Sequence, residues 1–346
     1  MQRCFLPVYL LLFTMLWGGF VSHVFAQNLK PVARQISELK SQNAQFEPTS
    51  LFTVQQAVNP DDPIYRFAPD AQLLTLNRSR LAQAVAANYP HIRLAIPISP
   101  NQTIQVELTQ APILTDDFFV TEAGKNQQQN HLPYCAGLYY RGIIQNNPHS
   151  LAAVSLFNDE VIAVISNNQG NFVIGKLTGK TTDYVVYNDN LVTVPNPFTC
   201  AVPDDVPDFK HQMPPHHHQL NKLLPQTLPD EGYETMQSVC PKVVKVYVEC
   251  DYDMYQDFSS STVNVTNHTT GLYNVVATIY ANETISTQLS QIFVWTVPDA
   301  YPDNSSSAAL DAFSSQVGNT FNGDLAHLFS TNNNNLGGIA WLDVLC

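Results

Sequence analysis

Three carboxylates follow an apolar stretch at a spacing suited to a cation. Asp251, Asp253 and Asp257 occupy positions 1, 3 and 7 of a would-be calcium loop. Position 6 of such a loop requires Gly for a sharp turn, and position 12 requires a bidentate Glu. Here these positions hold Gln256 and Thr262. The run is therefore interpreted as a solvated strand end rather than a calcium loop.

Histidines are the next residues with metal chemistry. His216, His217 and His218 are adjacent, with His211 nearby, in a proline-rich stretch. Helical zinc sites place two imidazoles four residues apart, so neighbouring histidines in such a segment indicate adventitious metal binding at most. The other histidines are single, and His327 is more typical of a packed or solvated side chain than of a catalytic one.

The sequence contains none of the short motifs that name a reaction directly. It has no His-Glu-x-x-His, no Gly-x-Ser-x-Gly and no glycine-rich phosphate loop. With 16 basic and 29 acidic residues, the net charge of −13 would repel phosphate backbones. Nucleic acid is therefore excluded as a partner.

The first 26 residues have the composition of a secretory signal. Arg3 supplies the basic start, residues 5–20 form an apolar run, and a small-x-small cleavage site ends at Ala26. The alternative, a membrane anchor, needs a longer apolar span. We expect a secreted, extracellular protein with no membrane attachment after signal cleavage.

Composition and patterning divide the remaining chain. With 45% hydrophobic and 13% charged residues, the chain is predicted to be mostly folded. Residues 27–200 have short strands and turn residues, including a hairpin of 92–96 with 104–108 and a meander over 151–177. Residues 201–237 are rich in proline and are predicted to be a linker.

From residue 238 onward, strands alternate with helices. Such alternation indicates a mostly parallel sheet with right-handed crossovers, and hence the α/β fold class. Ser261 or Thr262 is suited to cap the first helix. The expected elements are a strand at 243–248, a helix at 265–279, a strand at 291–295, a helix at 310–321 and a strand at 336–345.

Several short stretches of the second half occur in the order of a known family. They are the strand ending with Asp251, Met254 and Tyr255; the helix segment 273–280; the strand 292–295, which ends in Trp; the segment 323–328; and Gly338, Ala340 and Trp341 ahead of Cys346. Together they resemble the reprolysin or adamalysin branch of the metzincin zinc metallopeptidases, peptidase family M12B.

The first half extends this resemblance. Residues 135–142, followed by Ser150 and Ser155, are similar to the propeptide pattern of the same peptidases, particularly their secreted bacterial members. The resemblance implies a β-rich propeptide domain over 27–200. After the linker, it implies the N-terminal part of a metzincin catalytic domain over 238–346, a twisted mixed sheet with two helices.

In this family, the helix that binds zinc follows the Gly-x-Ala-Tyr strand. Its His-Glu-x-x-His-x-x-Gly-x-x-His sequence supplies three zinc ligands and the Glu that polarises water. Since the 346 residues contain no such helix, the zinc ligands are expected beyond the chain end. Removal of the signal also leaves five cysteines, with Cys346 last, so we expect a chain truncated before the zinc helix.

The resemblance also implies roles for individual residues. Asp324 matches a structural calcium ligand of the family, but Lys245 stands where the partnering Glu is expected, which makes calcium doubtful. Cys135 has two interpretations. One is a disulfide with Cys200, and the other is a thiolate that silences the enzyme by binding zinc.

The segment 337–341 is predicted to be the edge strand that aligns substrate. Gly337 and Gly338 let another backbone approach closely, and Ala340 keeps side-chain bulk low. The substrate-binding residues implied are Gly337, Gly338, Ile339, Ala340 and Trp341. In the alternative interpretation, the glycines only close a turn over residues 332–335.

The functional hypothesis from sequence is a precursor portion of a secreted zinc-dependent metalloendopeptidase. Such a hydrolase cleaves peptide bonds with a metal-activated water, and its partner is a protein or peptide substrate. The fragment itself is expected to be inactive because the catalytic helix is missing. The alternative is a non-catalytic secreted binding or adhesion protein built on the same domains.

Overall fold

The computed structural model describes residues 29–56, 59, 61–123, 129–193, 242–332, 334, 336–341 and 344. The predicted signal peptide (1–26) and linker (201–237) lie outside the described residues, as do Cys200, Cys240 and Cys346. Residues 29–193 form the N-terminal region, and residues 242–341 form the C-terminal region.

The N-terminal region is built mainly from strands, as its turn-rich sequence predicts. Its helices are α1 (Pro31–Ser41), α2 (Ile64–Phe67) and α3 (Arg78–Ala87). Its strands are β1 (Glu47–Ser50), β2 (Phe52–Val54), β3 (Gln72–Leu76), β4 (His91–Ser99), β5 (Gln102–Gln110), β6 (Leu114–Ala123), β7 (Gln129–Leu132), β8 (Leu138–Ile144), β9 (Leu151–Leu156), β10 (Val161–Asn167), β11 (Gly170–Lys176) and β12 (Asp183–Asn188).

Ten of these strands form the first sheet, in the order β1-β4-β5-β8-β9-β10-β11-β12-β3-β2. The strands β1 and β4 are parallel, and the other neighbours are antiparallel. The predicted hairpin is confirmed as β4 and β5, and the predicted meander as β9, β10 and β11.

The C-terminal region alternates strands and helices, as predicted. Ser261 and Ser305 cap the two longer helices by accepting hydrogen bonds from the N–H groups of Asn264 and Ala308. The elements are β13 (Val243–Cys250), α4 (Tyr252–Asp257), α5 (Thr262–Ala281), β14 (Ser286–Val294), α6 (Ser306–Val317) and β15 (Leu325–Phe329).

The second sheet combines strands from both regions, in the order β15-β13-β14-β6-β7. The strand β13 is parallel to both β14 and β15, which confirms the predicted parallel sheet. On its other side, β14 pairs in parallel with β6, and β6 pairs in antiparallel fashion with β7. Two strands from the first half of the sequence therefore extend the sheet of the second half.

Helix α5 lies between the two sheets. Its Gly271 faces Ile162 of β10 in the first sheet. Toward the second sheet, Val265 packs in one apolar cluster with Val248 and Leu289. Burial between two layers explains why the inward faces of the helix carry apolar residues such as Val265 and small polar residues such as Thr266 and Thr270.

The predicted strand at residues 336–345 is wrong for the part that the structure describes. Residues 336–341 pair with no strand, and the third parallel strand is β15. The physical reason is that hydrogen bonds to Asp253 of α4 and Ser306 of α6 hold Asn332 and Gly337, so the chain leaves the sheet instead of running along β15. Among the described helices, none combines the length and apolar character needed to cross a bilayer.

Candidate functional site

The carboxyl ends of the parallel strands β13, β14 and β15 lie side by side at one edge of the second sheet. Such an edge is where open α/β sheets bind ligands, because loops rather than helix cores surround it. A cavity of about 190 Å³ lies there. It is lined by acidic, aromatic and small residues, among them Asp251, Tyr252, Asp253, Asp299, Tyr301, Asp303, Leu328, Ser330, Asn332 and Leu336.

Asp251 directly follows β13 and is the most buried of these aspartates, with 7% of its surface exposed. Its Oδ1 accepts the N–H of Met254 at 2.8 Å, which caps α4. Burial raises the pKa of this carboxyl to about 6, and hydrogen bonds from Ser330 and the Met254 N–H oppose the rise. The first position of the rejected calcium loop is thus a helix cap.

The chain that leaves β15 crosses this edge and is fixed to it by polar contacts. Three of its residues are held by hydrogen bonds from Thr331 Oγ1 to Asp257 Oδ2 (2.5 Å), from Asn332 Nδ2 to Asp253 Oδ2 (3.1 Å) and from the Gly337 N–H to Ser306 Oγ (3.0 Å). Asp253 and Asp257, interpreted from sequence as a solvated strand end, therefore belong to α4 and anchor this segment.

The predicted substrate-binding residues, 337–341, come next in the chain after this anchored segment. Gly338 and Ala340 are exposed, whereas Gly337, Ile339 and Trp341 are half-buried. Alternate burial is the pattern of an extended chain with one free side. The structure thus attaches Gly337 beside the acidic edge, and exposure alternates along residues 337–341 without strand pairing.

A buried carboxyl was missed in the sequence analysis. It lies on the face of β13 opposite to Val248 and the apolar cluster that Val248 joins. Glu249 has 2% of its surface exposed. Its Oε2 accepts the Tyr247 hydroxyl at 2.9 Å, and its Oε1 accepts the Trp295 Nε1–H at 2.5 Å and the Tyr301 hydroxyl. Burial raises the pKa of Glu249, and these hydrogen bonds oppose the rise.

Glu249 joins β13 to the end of β14 and to the loop after it. It also lines a cavity of about 400 Å³ with Tyr247, Phe293, Trp295 and Phe321. The sequence signal was an acidic residue within a β-branched run. Asp299 was missed as well. Its Oδ2 accepts the Tyr252 N–H at 2.8 Å and orders the same edge.

The described residues do not fit a metal. They contain no group of three or more His, Cys, Asp or Glu side chains placed to hold an ion. Asp324 accepts the Lys245 N–H at its Oδ2, and its own N–H donates to the Lys245 carbonyl, both at 2.7 Å. The carboxylate therefore fixes the start of β15. The zinc that the family resemblance implies finds no ligand set among these residues.

The two cysteines in the described residues differ in character. Cys250 is fully buried, and burial raises the pKa of its thiol to about 12, so it is an inert core residue. Its Sγ lies 3.3 Å from Thr269 Oγ1. Cys135 is exposed. Its predicted partner, Cys200, lies outside the described residues, so both interpretations of Cys135 stay predictions.

A comparison with models of protein families finds a match, and it covers the C-terminal region. Residues 241–346 match the family model described as "Metallo-peptidase family M12". This is the stretch that contains β13, α5, β14, α6 and β15. A comparison with curated proteins returns no match.

Fourteen chains of solved structures match, among them the crystal structure of metalloproteinase-II from Bacteroides fragilis. The two chains are 7% identical with a TM-score of 0.32. The match covers 66% of this chain and 60% of that chain, which is less than two thirds of its length.

Proposed function

We propose that this chain is the amino-terminal part of a secreted zinc metalloendopeptidase precursor of the reprolysin type. Residues 1–26 act as the secretion signal, residues 27–200 as the propeptide, and residues 238–346 as the start of the peptidase domain. The observation that carries the proposal is the M12 match over residues 241–346, which coincides with an alternating strand and helix unit.

Zinc would supply an activated water for peptide hydrolysis when bound. Its ligands would come from a helix that the 346 residues do not contain, because no His-Glu-x-x-His occurs in them. In this proposal, the described residues contribute to peptide hydrolysis by aligning the substrate. Gly337, Gly338, Ile339, Ala340 and Trp341 present an extended segment to which a substrate backbone adds through main-chain hydrogen bonds.

The deciding experiment compares this chain with a version extended by the coding sequence that follows it. The extended protein should cleave an unstructured protein substrate and lose that activity with a zinc chelator. An extension without His-Glu-x-x-His and without cleavage would contradict the proposal and favour a binding or adhesion protein.

The 346-residue chain itself provides the matched control. We expect it to retain no stoichiometric zinc and to cleave no peptide, since the His-Glu-x-x-His sequence that would bind zinc does not occur in it. Metal analysis should use a triple variant with Ala at positions 216, 217 and 218, which removes the adventitious histidine ligands. One zinc retained per chain in that variant would refute this assignment of roles.

A further inference from the structure

The strand β6 covers an edge of the C-terminal sheet that would otherwise be open. Val120, Thr121 and Glu122 pair with Ile292, Phe293 and Val294 of β14 in a parallel ladder. An uncovered edge presents unpaired N–H and C=O groups that attract other chains. The N-terminal region thus provides the neighbour that β14 requires.

Side chains reinforce the same join. Gln291 Nε2 donates to Thr121 Oγ1 at 3.0 Å, and both residues are buried. Thr296 Oγ1 donates to the Ala123 carbonyl at 2.5 Å. These bonds link the two regions along the length of the ladder, so the pairing is not a backbone contact alone.

Helix α5 forms a second attachment, to the first sheet. Asn274 is fully buried, and its Nδ2 donates to the carbonyls of Tyr140 and Val154 and to Ser155 Oγ, at 3.3, 3.2 and 3.1 Å. A buried Nδ2 placed among three acceptors of another region indicates a fixed interface, because leaving a buried donor unpaired is costly; the Asn274 Oδ1 has no partner among the described residues.

The apolar residues of the two regions also form one cluster. It combines residues of the N-terminal region with strand and helix residues of the C-terminal region, namely Ala111, Ile113, Tyr139 and Phe157 with Val246, Val248, Met254, Tyr273, Leu289 and Ile292. Separation would expose this cluster on both sides. Contiguous apolar patches of that kind are rare on independent soluble domains.

From these contacts we infer that the N-terminal region stays bound to the C-terminal region after the chain is cut between residues 201 and 237. It is a non-covalent partner that completes the second sheet by β-strand addition. A cut in this segment therefore does not release it. This inference goes beyond the proposed function and needs neither zinc nor catalysis.

The test uses the whole chain with a site-specific protease site inserted between residues 215 and 225. After complete cleavage, the two pieces should elute together as one species on size exclusion and separate only in denaturant. Separation of the pieces in native buffer would overturn the inference, whatever the outcome of the peptidase assay.

A matched pair of variants tests whether the Asn274 hydrogen bonds hold the two cleaved pieces together. Asn274→Ala should raise the dissociation constant of the cleaved pieces about tenfold or more, measured over a dilution series. Asn264→Ala alters the same residue type on the same helix at an exposed position, and it should leave the constant unchanged. Equal constants for the two variants would show that the Asn274 hydrogen bonds do not hold the pieces together.

Discussion

At the scale of single residues, buried carboxyl groups such as that of Asp251 make the stability of the fold depend on pH. Asp251 caps α4 and lines the acidic cavity, and burial raises its pKa from 3.8 to about 6. When the pKa of an acid is higher in the folded state, the unfolded chain releases the proton first as pH rises. The contribution of Asp251 to stability is therefore full below about pH 4 and is lost toward pH 6.

Asp251→Asn should separate this electrostatic contribution from the helix cap, because Asn accepts the Met254 N–H equally well. Relative to the variant, the wild type should lose free energy of unfolding as pH rises from 3.8 to about 6. Urea unfolding of both proteins at several pH values checks this. A difference that stays constant with pH would contradict it.

Glu249 allows a sharper comparison of two substitutions. Glu249→Ala leaves the buried Tyr247 and Trp295 donors and the half-buried Tyr301 hydroxyl unpaired, and it should cost on the order of 3 kcal/mol of unfolding free energy. Glu249→Gln keeps one acceptor oxygen and should cost about 1 kcal/mol. Urea unfolding followed by tryptophan fluorescence measures both.

The control for Glu249 is Glu283→Ala, which removes an exposed ion pair with Lys30 and should cost less than about 1 kcal/mol. If Glu249→Ala costs no more than this control, the three hydrogen bonds do not stabilise the fold.

At the scale of elements, α5 depends on how closely the first sheet approaches it. A Cβ added to Gly271 would lie 2.7 Å from Ile162 Cδ1, which is too close for a normal contact. Glycine ordinarily weakens a helix interior, so its presence here has a packing reason. The close approach allows Asn274, three residues later, to reach the sheet.

Gly271→Val should destabilise the protein by about 1–3 kcal/mol because it overpacks this contact. Ile162→Ala in the same chain should recover part of the loss, so that the double variant is more stable than the sum of the single effects predicts. Leu272→Val, at an exposed position of the same helix, is the control. Additive effects measured by urea unfolding would show that the two residues do not meet.

The elements also show which features the sequence can predict. The hairpin, the meander, the capped helix α5 and the parallel strands β13 and β14 all follow local periodicity and turn residues, and all were predicted. The strand β6 was not, because Asp116 and Asp117 interrupt its apolar pattern and its partner β14 lies more than 160 residues away. Such pairing depends on tertiary contacts that no local pattern records.

In the candidate site, too, some features could be predicted from the sequence and others depend on tertiary contacts. The segment 337–341 was predicted from the resemblance and stays a prediction as a substrate-binding segment, and its described residues do not form the expected strand. Glu249 and Asp299 were missed because their importance arises from partners such as Tyr301 that come close only in the folded chain. A carboxyl inside a β-branched strand is the one sequence feature that could have identified Glu249.

At the scale of the whole molecule, the two regions share a sheet and a core, and the segment between them is the place where a cut would matter. The six prolines between residues 201 and 237 disfavour regular hydrogen-bonded structure there. By contrast, β9, β10 and β11 lie in the middle of the first sheet with ladders on both sides. Backbone held in this way resists proteases.

Limited proteolysis of the native chain should therefore cut first between residues 201 and 237 and yield two resistant pieces. Mass spectrometry of the products at early times would locate the cuts. Native electrophoresis of the same samples should show a single band, since the pieces share β6, β14 and the apolar cluster around α5. First cuts within residues 151–177 would instead place the boundary between the regions inside the meander.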